Sequence, residues 1–138
     1  MKSTDRTQTE SEPPAKPSFR NRDNAESQVC QAFTTLGVLA GVDVDQGSGP
    51  GDLDADLIQA AYESNFSDPH FLGGPFCFNY AKTRDQVDAL AEKARAVTDG
   101  FAAYIGAHCT QESIQEADSH IAVIEAAIAW LRKTNRSL

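Results

Sequence analysis

The side chains best equipped for chemistry in this chain are His70, His108, His120, Cys30, Cys77 and Cys109. Beside them stands a set of aspartates around a glycine-rich stretch, Asp43, Asp45, Asp52, Asp54 and Asp56. Zinc sites are usually announced by close pairs such as CxxC or HxxxH, because two ligands must share one short segment. No such pair occurs among His70, Cys77, His108, Cys109 and His120. His108 and His120 could meet only across a helical turn. The ExxH pattern of carboxylate-bridged metal bundles is missing as well: Ile105 stands three residues before His108 and Ala117 three before His120. Cys77 follows His70 by seven residues, but a cysteine nucleophile needs an electropositive setting that favours the thiolate. The stretch that holds it, Asp23 to Ala81, has no Lys or Arg.

The aspartates make a better pattern. Asp43, Asp45, Gly47, Gly49, Gly51 and Asp54 fall at positions 1, 3, 5, 7, 9 and 12 of an EF-hand-like frame. Hard oxygen ligands at that spacing suit calcium. Against it, position 5 has no side-chain oxygen, position 6 is Ser48 rather than glycine, and Pro50 occupies position 8. The acidic turn is better read as a loop leading into an N-capped helix. As a phosphate cradle the same stretch fails, since it matches neither GxGxxG nor GxxxxGK[ST] and is flanked by acids alone. No metal or other cofactor is expected.

Charge is the broadest signal. From Asp23 to Ala81 the chain runs 59 residues without Lys or Arg and carries nine Asp or Glu, within a 138-residue chain of net charge −8. Such a segment repels nucleic-acid phosphate and anionic membrane and attracts basic partners. No apolar run reaches the roughly 18 residues of a membrane helix. Three widely spaced cysteines and a polar N-terminus without an apolar core predict a reducing, cytoplasmic setting.

Residues 1–24 are polar, contain Pro13, Pro14 and Pro17, and have Phe19 as their one large aromatic. They predict a disordered tail, with Phe19 and Arg20 as the core of a short docking peptide in the alternative reading. Residues 25–138 read as a single all-α domain. A first helix should start near Asp23 or Asn24, bury Val29, Phe33 and Leu36, and stop at Gly41. A second should start at Asp52 or Asp54, bury Leu57, Ile58, Ala61 and Tyr62, and end near Asn65–Phe66. Phe71, Leu72, Phe76, Phe78 and Tyr80 are too apolar for a solvated loop, so this irregular segment should close one end of the core.

The last third has two heptad-like stripes. Val87, Leu90, Ala94, Val97, Phe101, Tyr104 and His108 follow a capping box of Thr83 with Gln86. Ile114, Ala117, Ile121, Ile124, Ile128 and Leu131 follow a second box of Ser113 with Glu116. A turn of about four residues between them predicts a long antiparallel αα-hairpin. The two seams would be covered within the chain or by a second hairpin in a homodimer.

The reading that results is a small helical bundle: two short N-terminal helices, an aromatic loop and a long C-terminal hairpin. Its expected role is non-catalytic. It would act as an acidic module that binds a basic protein surface, as an inhibitor, immunity protein, antitoxin, chaperone or accessory subunit does. The expected contacts are Asp43, Asp45, Asp52, Asp54 and Asp56 with the aromatics Phe71 and Phe76. The rival class is a bundle that binds a small ligand or metal, or a small enzyme, with residues 70–80 closing the pocket. A DNA mimic follows from the same acids.

Overall fold

The computed structural model describes residues 17–66, 76 and 81–134. Four helices carry the fold: α1 (Arg22–Leu39), α2 (Ala55–Asn65), α3 (Arg84–His108) and α4 (Gln111–Thr134). Among the described residues there is no strand, only an isolated antiparallel bridge between Asp43 and Ser48. None of these helices is long and apolar enough to cross a membrane. The expected aromatic segment 70–80, Phe71 included, lies outside the described residues except for Phe76, and so does the tail through residue 16.

Local chemistry sets the helix ends. Asn21, rather than Asp23 or Asn24, caps α1 by accepting from the Asn24 N–H at 2.8 Å. Residues 17–24, expected within the tail, are therefore packed rather than loose. Phe19 meets the Trp130 ring edge-on at 6.0 Å, and the Arg22 guanidinium donates to the Ala81 carbonyl at 2.9 Å. The α1 helix ends with Ala40 as its cap and Gly41 at φ +94. Asp54 caps α2 and Phe66 closes it, as the sequence predicts. Thr83 and Gln86 form the predicted capping box of α3. The second box is not where the sequence puts it: α4 starts three residues earlier, with the Thr110 hydroxyl accepting from the Ser113 N–H at 3.2 Å. The hairpin turn consequently shrinks from about four residues to Cys109 and Thr110.

The core is one cluster. Phe33 and Phe76 stack at 4.3 Å between ring centroids, and Phe101, Leu36, Ile105, Ile124 and Leu131 complete its fully buried centre. The α1 helix packs on both α2 and α4, so part of the hairpin seam is covered within one chain. Gly37, an apparent weak point in α1, is needed there: a Cβ on it would lie 2.5 Å from the Ala61 Cβ. It lets α2 seat directly on the α1 backbone.

The α3 seam differs from the predicted one. The buried positions are Val87, Ala91, Ala94, Val97, Thr98, Phe101 and Ile105, whereas Leu90 and Tyr104 are only half-buried and His108 is exposed. A strict heptad drifts around a straight helix by about 20° per repeat, so the stripe that faces the core slips to neighbouring positions. Ala91 and Thr98 can take the inner places because they are small. The Thr98 hydroxyl is satisfied inside its own helix, donating to the Ala94 carbonyl at 2.7 Å.

The charge distribution follows the topology. The start of α3 and the end of α4 lie together, tied by Arg132 and Asp88 at 3.5 Å, and the start of α1 joins them through Arg22 and Ala81. This end carries Arg20, Arg22, Lys82, Arg84, Arg132 and Lys133. At the opposite end, where Cys109 donates from Sγ to the Leu39 carbonyl, the loop from residue 41 to residue 54 supplies the aspartates.

Candidate functional site

All five predicted aspartates are exposed, but they do different jobs. Asp43 closes its own loop. Its Oδ1 accepts from the Asp45 and Gln46 N–H groups, both at 3.1 Å, while its backbone N–H donates to the Ser48 carbonyl at 2.7 Å. This is a side-chain-closed turn. The carboxylate that would open a calcium frame is thus directed at the loop's own backbone. Asp45 Oδ1 accepts from Asn65 Nδ2 at 3.1 Å, and the same amide reaches the Val44 carbonyl at 3.2 Å. The loop is thereby pinned to the end of α2.

Asp52 reaches further. Its Oδ1 accepts from the Tyr104 hydroxyl at 2.9 Å, and its Oδ2 lies 3.7 Å from His108 Nε2. The Tyr104 and His108 rings meet at a tilt, with centroids 4.3 Å apart. This Asp–Tyr–His group is absent from the sequence reading, which put His108 on the α3 seam near the hairpin turn. His120 lies 3.7 Å from Glu116 on its own helix. Partial burial of the Tyr104 ring, then the Asp52 carboxylate that accepts its hydrogen bond, and Cys109 to a lesser degree, raise the phenol above its usual value. A tyrosine base or nucleophile needs the opposite shift. The contact is a surface clasp that fixes the loop to the end of α3.

The remaining acids belong to α2. Asp54 caps the helix by accepting from the Asp56 N–H at 2.9 Å. Asp56 stands in the first turn, where the helix dipole favours a carboxylate. About two turns further on, Glu63 accepts from Gln59 Nε2 at 2.6 Å. Asp54, Asp56 and Glu63 line the α2 side of an open groove of about 400 Å³ that faces α3. Glu63 was not among the predicted contacts. Its signal was available in the helical spacing from Asp56, which brings the two acids within two turns of each other on α2.

Phe76 offers no ring to a partner in this fold. It is fully buried against Phe33, with the Lys93 ammonium 5.6 Å from its centroid. It serves the expected core-closing role rather than the expected contact role. Glu26 is the acid that sequence reasoning missed altogether: it is only 1% exposed on the core face of α1, so one of the nine acids in the cation-free stretch does not face solvent.

A second groove, of about 340 Å³, lies between α3 and α4. Its walls carry Arg95 and Arg132 with Asp99 and Glu125, so its charge is mixed. Among the described residues no group of three or more His, Cys, Asp or Glu side chains is arranged to hold a metal. Compared with known proteins, the chain matches no family model, no curated protein sequence and no solved structure.

Proposed function

We propose that this protein is a non-catalytic interaction module that binds a basic surface on a protein partner. The observation that carries this reading is the exposure of Asp43, Asp45, Asp52, Asp54 and Asp56 within a stretch that has no Lys or Arg. Exposed carboxylates in excess over nearby cations raise the local concentration of cationic partners and speed productive encounter.

The test is kinetic. A partner recovered from the native source should be basic where it binds, and its association with the purified module should slow steeply as salt rises. An association rate indifferent to salt would contradict the reading.

A further inference from the structure

We infer that the groove between α2 and α3 is the docking site, and that its occupant is a cationic amphipathic helix of about three turns presented by the partner. This rests on the acidic-module reading and says where on the module binding occurs. The two helices meet at Gly100 of α3 and Leu57 of α2. A Cβ on Gly100 would lie 2.8 Å from Leu57 Cδ1, so the Leu57 side chain sits directly on the α3 backbone. Next to that contact lies the groove.

Its floor is apolar: Leu57 and Ala60 on one side, Ala96 and Val97 on the other. Leu57, Ala60 and Val97 belong to the buried core, whereas Ala96 is exposed and leaves the floor open. The α2 rim has three carboxylates, Asp54, Asp56 and Glu63, and the α3 rim has Lys93. An apolar floor with an anionic rim complements a helix with an apolar stripe flanked by Lys or Arg. The 11 residues of α2 span about 16 Å at 1.5 Å per residue, which sets the length of helix that can lie alongside. The mixed charges of the α3–α4 groove give no comparable preference.

The probe is a fluorescently labelled 18-residue peptide of leucine and lysine, with leucines at helical i, i+3, i+4 and i+7 spacing. Its control is the same composition scrambled to abolish the apolar stripe. Anisotropy with the full chain should show the patterned peptide binding at least about tenfold more tightly than the control, as the loss of an apolar anchor implies. Ala96→Trp fills the floor at an exposed position and should weaken the patterned peptide by about tenfold or more. Lys93→Glu extends the anionic rim and should tighten it; this variant keeps the test decisive if Ala96→Trp folds poorly. An Asp43→Asn/Asp45→Asn variant should bind as wild type. Equal binding of both peptides, or loss of binding with the loop variant but not with Ala96→Trp, would overturn the groove and leave the acidic-module reading standing. Binding of neither peptide at low salt would overturn both.

Discussion

The loop and the helix that share the acidic stretch use the same residue type for opposite ends. In the loop, Asp43 and Asp45 are turned onto backbone and amide donors, and Asp52 is clasped by Tyr104 and His108. On α2, Asp56 and Glu63 stand at the groove, where Glu63 accepts from Gln59 of its own helix and Lys93 lines the opposite rim. A carboxylate that closes a turn contributes to stability through directional hydrogen bonds. A carboxylate on an open rim contributes mostly to long-range attraction. Proximity in sequence therefore hides a division between acids that hold the fold and acids that stand on an open rim.

The largest effect should come from the contact on which both regions depend. Gly37→Ala places a methyl group against Ala61 and should destabilise the protein by about 1–3 kcal/mol, as overpacking does. Urea unfolding measures it, and a neutral result would mean that α2 is not seated as described. Next in size are the structural acids. Asp54→Ala removes the α2 cap and should cost about 1 kcal/mol. Asp43→Ala should cost a similar amount, of order 1 kcal/mol, whereas Asp43→Asn keeps an acceptor and should cost only a few tenths. If Asn proved as harmful as Ala, the turn would depend on charge rather than on the hydrogen bonds.

A smaller effect is carried by pH. Because the folded state raises the Tyr104 value, the associated stability is fully present below the unfolded value of about 10 and is lost as pH rises through the folded one. Asp52→Asn removes the carboxylate charge and should move the Tyr104 titration downward, which phenolate absorbance reads directly. An unchanged titration would separate Tyr104 from Asp52. The smallest change in stability belongs to the rim: Asp56→Asn with Glu63→Gln should shift unfolding by no more than about 0.5 kcal/mol. A larger loss would place these two acids with the structural set.

Much of this architecture is legible in the residues themselves. The α2 boundaries follow from Asp54 and Phe66, and the α3 start follows from Thr83 with Gln86, because caps act through local hydrogen bonds. The α3 face is less legible. Heptad spacing points to Leu90 and Tyr104, but tertiary packing puts Ala91 and Thr98 inside. The expected capping role of Ser113 yielded to Thr110 for a similar reason: two adequate cap residues stand three apart, and the closeness of the helices selects the tighter turn. At the surface, five of the acids were legible as exposed. Their division was not, because the hydrogen bonds that decide it come from Asn65 and Tyr104, distant in sequence.

Stopped-flow association of the leucine–lysine peptide across a range of salt tests this division most directly. Asp56→Asn/Glu63→Gln should slow association at low salt and flatten its salt dependence, while Asp43→Asn/Asp45→Asn should leave both close to wild type. The reverse pattern, with the loop variant losing the salt dependence and the rim variant keeping it, would contradict the account.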